Sequence, residues 1–169
     1  MRTVDLTAAE RHPPIVETVW ATEKDTRAFA ARLAAHPAIA NVFIALHGEL
    51  GAGKTTLVRH LLRALGVQGR VKSPTYAVVE PYVLRQVREQ RELAIWHFDF
   101  YRFNDPREWE DAGFRDIFAS PGLKLAEWPE QAAGMLPLPD LVVCMAVADD
   151  GSRQVTLTPQ STAGEALLR

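Results

Sequence analysis

The residues best suited to chemistry in this sequence are a run of glycines followed by a lysine and a threonine. Positions 48 to 55 read G-E-L-G-A-G-K-T, which fits the pattern G-x-x-x-x-G-K-[ST] without a gap. Glycines let such a loop curl so that successive backbone N–H groups point inward at phosphate oxygens. Lys54 can then reach the β- and γ-phosphates, and the Thr55 hydroxyl can ligate Mg²⁺. The spacing therefore predicts a cradle for the phosphates of a magnesium nucleotide.

The flanking sequence supports this interpretation. Residues 42–46 form a continuous apolar run, which is typical of a strand buried on both faces within a parallel sheet. Residues 55–65 follow with the pattern of an amphipathic helix that Gly66 ends, and the N-terminal dipole of such a helix favours phosphate. A glycine-rich turn carrying an exposed lysine is the alternative. The order of strand, glycine loop and helix argues against that alternative.

Two acidic residues follow predicted strands further along the chain. Asp99 comes directly after residues 93–98, and Glu127 comes directly after residues 123–126. Ligands of open α/β sheets bind outside the carboxyl ends of the strands, so both carboxylates are expected to converge on the Mg²⁺ ion. Hydrolysis of a nucleotide needs groups of this kind in addition to the phosphate loop.

Other candidates for the nucleotide site carry weaker signals. The segment S-P-T at 73–75 resembles a nucleotide-sensing switch, in which Thr75 would approach the γ-phosphate or the metal, although a proline turn explains the same residues. Trp128 is a candidate wall of the site, and a core position is its alternative. The guanine-recognition pattern N-K-x-D is missing from the sequence, so adenine is the expected base.

Composition and charge restrict the class of protein. The chain has 169 residues, 47% of them hydrophobic and 24% charged, which suits one globular domain. A net charge of −2 provides no overall field for nucleic acid or anionic membranes. The first residues lack the apolar stretch of a signal peptide, and a cytoplasmic location is expected. Cys144 is the single cysteine, and its apolar surroundings predict a small buried side chain.

The remaining pattern predicts the order of the elements. Strands are expected at 15–20, 76–84, 93–98, 123–126, 141–147 and 154–158, with helices beginning near Thr22 and Pro106. The step Asp150-Gly151 predicts a hairpin between the last two strands. We therefore expect an α/β fold of three layers, the P-loop NTPase fold, with a mostly parallel sheet flanked by helices and a C-terminal antiparallel hairpin. Residues 1–14 are expected to form a flexible leader, 15–160 a single domain and 161–169 a flexible tail.

Four segments in this order resemble the motifs of one family. They are H-G-E-L-G-A-G-K-T-T at 47–56, S-P-T-Y at 73–76, H-F-D-F-Y-R at 97–102 and E-W-P-E at 127–130. Together they resemble the TsaE (YjeE) family, the bacterial ATPases required for threonylcarbamoyladenosine in tRNA. The likeness runs from about residue 20 to 160, and the three later segments are far more specific than the phosphate loop.

The resemblance implies a small ATPase with weak, magnesium-dependent hydrolysis that acts with the TsaB and TsaD proteins. TsaD carries out the transfer to tRNA, and the TsaE-like component uses ATP hydrolysis to reset the complex, so tRNA is met only through the complex. The motif match gives catalytic roles to Lys54, Asp99 and Glu127 and metal binding to Thr55, Asp99 and Glu127. The expected nucleotide-binding residues are Gly48, Glu49, Leu50, Gly51, Ala52, Gly53, Lys54, Thr55, Thr56, Thr75, Trp128, Glu130 and Glu23.

Two other functions are compatible with a phosphate loop. A small-molecule kinase would carry an arginine-rich lid, whereas the arginines here are scattered and the last third reads as sheet. A nucleotide-gated binding module would not need both Asp99 and Glu127. The charged segment 85–92 is longer than the family pattern suggests, and its arginines are candidates for contact with tRNA or a partner. A solvated hairpin tip is the favoured interpretation of that segment.

Overall fold

The computed structural model describes residues 14–74, 78–86, 91–111 and 113–169. The strands are β1 (Val16–Trp20), β2 (Phe43–His47), β3 (Val79–Gln86), β4 (Arg91–Asp99), β5 (Leu123–Glu127), β6 (Leu141–Val147) and β7 (Arg153–Pro159). The α-helices are α1 (Glu23–Ala35), α2 (Lys54–Leu65), α3 (Pro106–Asp111), α4 (Phe114–Ala119) and α5 (Thr162–Leu167). Short 3₁₀ helices cover Pro37–Asn41 and Pro129–Ala132. The leader expected over residues 1–14 lies outside the described residues, apart from position 14.

All seven strands belong to one mixed sheet, in the order β1-β7-β6-β2-β5-β4-β3. The four central strands β6, β2, β5 and β4 are parallel, and the outer pairs β1–β7, β7–β6 and β3–β4 are antiparallel. The β3–β4 connection is too short for a parallel crossover, which needs about a dozen residues. The sheet therefore has antiparallel pairs at both sides, not only in the predicted C-terminal hairpin.

Helices cover both faces of the central strands. Side chains alternate between the two faces of a strand, and β2 shows this clearly. Ile44 and Leu46 belong to a core cluster with residues of α1 and α2, whereas Phe43 and Ala45 belong to a second cluster with residues of α3 and α4. The expected arrangement of three layers is confirmed. None of the described helices is long and apolar enough to cross a membrane.

The ends of the two long helices follow the sequence signals. The Asp25 carboxylate accepts a hydrogen bond from the Thr22 N–H at 3.1 Å, which caps α1 at its predicted start. Gly66 adopts φ 109° and ends α2 where the sequence places the end. Gly53 adopts φ 105° directly before α2. The phosphate loop is thus joined to a helix whose first residue is Lys54.

Most of the segment 161–169, for which the sequence predicts a flexible tail, forms the helix α5 in the structure. The Ser161 hydroxyl oxygen accepts from the Gly164 N–H at 3.0 Å and its hydroxyl donates to the Asp140 carboxylate at 2.7 Å. Leu167 is buried against the core. A cap, one long-range hydrogen bond and one buried side chain are therefore sufficient to fix a helix whose sequence is too short to show a clear period.

The buried position predicted for Cys144 is wrong, since its side chain is exposed. Val143 and Met145 on either side of it are buried. Alternation along β6 therefore turns Cys144 to the opposite face of the sheet from its neighbours. Every residue of the run 141–147 is apolar, so the sequence does not reveal which face is covered.

Gly164→Ala tests the docking of α5. A Cβ atom on Gly164 would lie 1.8 Å from the carbonyl oxygen of Asp140, which also accepts from the Gln160 N–H at 2.8 Å. We expect the free energy of unfolding to fall by about 1–3 kcal/mol in urea denaturation, because the backbone has to shift. Thr162→Ala, at an exposed position of the same helix, is the control and should change it by less than about 0.5 kcal/mol. Equal stability of the two variants would contradict this packing.

Candidate functional site

The glycine loop between β2 and α2 passes unusually close to β6. A Cβ atom on Gly48 would lie 2.6 Å from the carbonyl oxygen of Met145 and 3.0 Å from the Cβ of Ala52. Gly48 and Gly53 also have positive φ angles, 153° and 105°. A side chain at Gly48 would clash with β6, and a side chain at either glycine would make the positive φ unfavourable. The loop can therefore follow this path only with glycine at these positions. The backbone itself is thereby brought to the edge of the sheet where the central strands end.

Lys54 is nearly buried at the start of α2. Its ammonium donates a hydrogen bond to the Gly48 carbonyl and lies 3.6 Å from the centre of the Trp128 ring. Burial lowers the pKa of Lys54, and nearby carboxylates, above all those of Glu127 and Glu130, oppose that shift. A cation that has lost much of its water is a strong partner for an incoming phosphate.

Trp128 is held in a backbone conformation that costs energy. Its φ of 53° is the one positive value for a non-glycine residue among the described residues. A left-handed conformation costs an L-residue about 1–2 kcal/mol, so it persists only where the surroundings impose it. Here the turn after β5 places the indole over Lys54, with the Tyr101 ring 5.0 Å away. The aromatic ring thus borders the phosphate loop.

The two predicted carboxylates lie on neighbouring strands and are held by several donors. Glu127 accepts from the Thr55 hydroxyl at 2.7 Å and is 2.6 Å from His97 Nε2. Asp99 accepts from the Ser73 hydroxyl at 2.8 Å and from the Tyr101 N–H at 3.0 Å. Glu127 contacts the phosphate-loop threonine directly, whereas Asp99 is held by donors outside the loop.

The donor atoms fit a magnesium nucleotide. Thr55, Asp99 and Glu127 offer hydroxyl and carboxylate oxygens, which are the ligands that Mg²⁺ prefers. In the described part of the chain, no group of three or more His, Cys, Asp or Glu side chains is arranged to hold a metal by itself. Mg²⁺ characteristically keeps several waters and shares its site with substrate phosphates. The residues are therefore suited to a metal that arrives with the nucleotide.

These side chains surround one cleft of about 320 Å³ at the carboxyl ends of the central strands. It brings together most of the residues predicted from the sequence. Its lining is Glu49, Leu50, Gly51, Ala52, Gly53, Lys54, Thr55, Thr56, Ser73, Asp99, Tyr101, Glu127, Trp128 and Arg153.

Of the predicted residues that the structure describes, three do not line this cleft. Gly48 faces β6 and contributes its carbonyl to Lys54. Glu130 pairs with His47 Nδ1 at 3.2 Å near the surface. Glu23 is the third, and Thr75 lies outside the described residues.

Glu23 lines a second cleft of about 220 Å³ next to the first. Gly53, Thr56 and Arg153 line both clefts, so the two adjoin each other at the start of α2. The Glu23 carboxylate also lies 2.8 Å from His60 Nε2, which ties α1 to α2. A ligand with phosphates on the loop would therefore lie next to the cleft that Glu23 lines.

Sequence reasoning missed Arg153, which holds the phosphate loop from a distant strand. Its Nε donates to the Ala52 carbonyl at 2.8 Å and one Nη to the Gly51 carbonyl at 3.4 Å. The other Nη donates to Gly151 in its own hairpin at 2.7 Å. Arg153 lies 101 residues after Ala52 in the sequence, and no local sequence pattern marks Arg153 as a contact of the loop. Ser73, Tyr101 and His97 lie in quoted motifs but had no assigned role.

The strand, glycine loop and helix at the edge of a mixed α/β sheet, with the cleft around them, define a P-loop nucleotide-binding protein. Comparison with protein families then gives a more specific result. The family model "Threonylcarbamoyl adenosine biosynthesis protein TsaE" matches residues 20–155. The chain belongs to the TsaE family.

Individual relatives agree with the family match. The tRNA threonylcarbamoyladenosine biosynthesis protein TsaE of Haemophilus influenzae is 42% identical over 127 residues, which cover 75% of this chain and 76% of that protein. The protein of the same name from Bacillus subtilis is 33% identical over 135 residues, or 80% of each chain. The crystal structure of Bacillus subtilis YdiB superimposes with a TM-score of 0.68 at 26% identity and covers 92% of each chain. The fold and family expected from the sequence are both confirmed.

Arg153→Lys tests whether the guanidinium holds the loop. Lysine keeps the charge but cannot contact the Ala52 and Gly51 carbonyls together, so the loop loses part of its support. We expect ADP to bind about tenfold more weakly in calorimetric titration, as for the loss of one charge-assisted hydrogen bond. Arg27→Lys, on the exposed surface of α1, is the matched control. Unchanged affinity in both variants would show that the contact is dispensable.

Proposed function

We propose that this protein is the magnesium-dependent ATPase of tRNA threonylcarbamoyladenosine biosynthesis, and that it acts with TsaB and TsaD to reset their complex between turnovers. The observation that carries the proposal is the 2.7 Å hydrogen bond between Thr55 of the phosphate loop and Glu127, beside Asp99. A loop that only held nucleotide would not need carboxylates at this place. The names of the relatives support the pathway, and tRNA would be met through the complex in the cytoplasm.

Each residue has a distinct role in this proposal. The loop at residues 48–55 and Lys54 would bind the phosphates, and Thr55 and Glu127 would hold Mg²⁺. Bound Mg²⁺ would neutralise charge that builds up on the phosphate oxygens during hydrolysis. Asp99 orients the water shell of the ion or the attacking water. Thr75 is proposed to approach the γ-phosphate or the metal.

The second cleft suggests where the base would lie. Phosphates on the loop would leave the nucleoside beside Thr56, at the entrance to the cleft that Glu23 lines. We propose that adenine occupies this cleft and that Glu23 forms one edge of it. Trp128 and Glu130 belong to the opposite, phosphate end, where Trp128 packs on Lys54.

The rim of the site explains why intrinsic hydrolysis would be weak. Leu50 and Tyr101 border the phosphate cleft and are 68% and 45% exposed. Water therefore reaches the phosphates freely, and an accessible site loses the benefit of low dielectric. Large apolar side chains at an open rim are also suited to being covered by another protein. Docking of TsaB and TsaD would exclude water and complete the site.

The first test is ATP hydrolysis by the purified chain, alone and with TsaB and TsaD from the same organism. We expect slow hydrolysis by the chain alone and stimulation of at least about tenfold by the pair, which corresponds to roughly 1.4 kcal/mol of barrier. TsaB or TsaD added singly serves as the control. Flat, slow hydrolysis in every mixture would contradict the proposed role and would direct the search to a kinase substrate or a nucleotide-gated binding module.

A second test separates binding from turnover. Lys54→Ala removes the cation that meets the phosphates and should abolish nucleotide binding in calorimetric titration. Asp99→Ala and Glu127→Ala should keep nucleotide binding within about tenfold but lower the partner-stimulated rate by about 10²-fold or more, because their roles concern the metal and water. Arg32→Ala, exposed on α1, is the control for loss of a surface cation. Equal loss of affinity in all three site variants would contradict this division of roles.

A further inference from the structure

A buried histidine lies behind the proposed metal site. His97, in β4, has 0% of its surface exposed, and its Nε2 lies 2.6 Å from Oε2 of Glu127. The other carboxylate oxygen of Glu127, Oε1, accepts from the Thr55 hydroxyl at 2.7 Å. An ionised carboxylate only accepts hydrogen bonds, so His97 Nε2 carries the proton. The three side chains form one chain of hydrogen bonds from the core to the phosphate loop.

The second ring nitrogen shows that packing alone does not explain this histidine. Nδ1 of His97 is buried and has no hydrogen-bond partner among the described residues. An unpaired polar atom in the core is unfavourable, and an apolar side chain of similar size would avoid that cost. The adjacent Phe98 and the nearby Ile95 on β4 are apolar and fully buried. The contact that distinguishes His97 from these neighbours is the one to Glu127.

The Glu127 carboxylate needs a second hydrogen-bond donor, because the Thr55 hydroxyl alone does not fix the plane of the group. With the Thr55 hydroxyl as the only donor, the carboxylate could rotate about its last bond and turn its lone pairs away from the cleft. A donor on Oε2 fixes the plane of the group and leaves the free lone pairs of Oε1 beside Thr55. Partners that orient a metal-binding carboxylate in this way typically change metal affinity by 10–100-fold when they are removed.

We propose that His97 is the positioning residue that fixes the Glu127 carboxylate for the metal-bound nucleotide. This inference rests on the proposed function, because it assigns a supporting residue to the same magnesium site. His97 itself touches neither nucleotide nor metal in this arrangement. Its effect therefore belongs to the metal-dependent part of nucleotide binding and not to the contact between phosphates and loop.

The experiment measures the dissociation constant of ADP by calorimetry, in excess Mg²⁺ and in EDTA, for four proteins. His97→Leu removes the donor and keeps a similar volume. His97→Gln offers an amide N–H at a reach similar to that of Nε2. Ile95→Val, two residues earlier on the same face of β4 and equally buried, is the control for loosening of the core.

We expect the wild-type protein to bind ADP more tightly with Mg²⁺ than in EDTA. The magnesium gain, which is the ratio of the dissociation constant in EDTA to that in Mg²⁺, should be about tenfold smaller in His97→Leu than in the wild-type protein. The affinity of His97→Leu in EDTA should stay within about twofold of wild type. His97→Gln should keep most of the gain, and Ile95→Val all of it. Thermal denaturation of the nucleotide-free proteins shows whether a variant has lost stability, as distinct from losing the gain in ADP affinity that Mg²⁺ causes.

Three outcomes would overturn the inference. One is a full magnesium gain in His97→Leu, and another is an equal loss in His97→Gln, which would show that the donated hydrogen bond is irrelevant. A loss of affinity in EDTA as large as in Mg²⁺ would make His97 a structural residue only. If His97→Leu does not fold, His97→Asn replaces it, because the shorter amide cannot reach Glu127. A wild-type protein with no magnesium gain would instead contradict the metal site of the proposed function, and this inference with it.

Discussion

The register of β5 is the constraint on which the rest of the site depends. Glu127 at the end of this strand is aligned with Leu46 of β2 on one side and with Asp99 of β4 on the other. Both pairs are parallel, so the three strands deliver their last residues to the same edge. A slip of β5 by one residue would turn Glu127 to the opposite face, away from Thr55. Pairing of buried apolar strands thus positions groups that are themselves charged.

The same arrangement places several polar and charged side chains in the buried part of the protein. Lys54, His97 and Glu127 are three of the few polar residues that are buried among those that the structure describes. Hydrogen bonds join His97, Glu127 and Thr55, while Lys54 donates to the Gly48 carbonyl. Removing such groups from water is unfavourable unless each finds a partner. Here the partners are one another and the backbone, apart from Nδ1 of His97. The site therefore contributes little to stability, and its value lies in the fixed orientation of donors and acceptors before a nucleotide arrives.

The sequence predicts the parts of this site that are encoded locally and misses the parts that depend on the closed sheet. The glycine loop, its strand and helix, and the acids after two strands all have local patterns, so their placement at one edge follows from the rules of parallel sheets. Arg153 reaches the loop only because β7 folds back beside β6, and no short pattern encodes that contact. The helix α5 and the exposure of Cys144 also lack a local signal, for a related reason. A six-residue helix shows little period, and a wholly apolar strand does not reveal its uncovered face.

The interior of the site is held by contacts within the protein while its rim is exposed, and this difference fits the proposed component, whose hydrolysis would be timed by partners. Glu127, Asp99 and the loop are fixed by strands, by hydrogen bonds and by Arg153. The exposed rim includes Leu50, which belongs to that loop, and Tyr101, and both side chains face solvent. A protein that hydrolyses ATP efficiently alone would close this rim with its own chain. Under the proposed function, leaving the closure to another surface would make the rate depend on assembly, because the low dielectric needed for catalysis would then exist only within the complex.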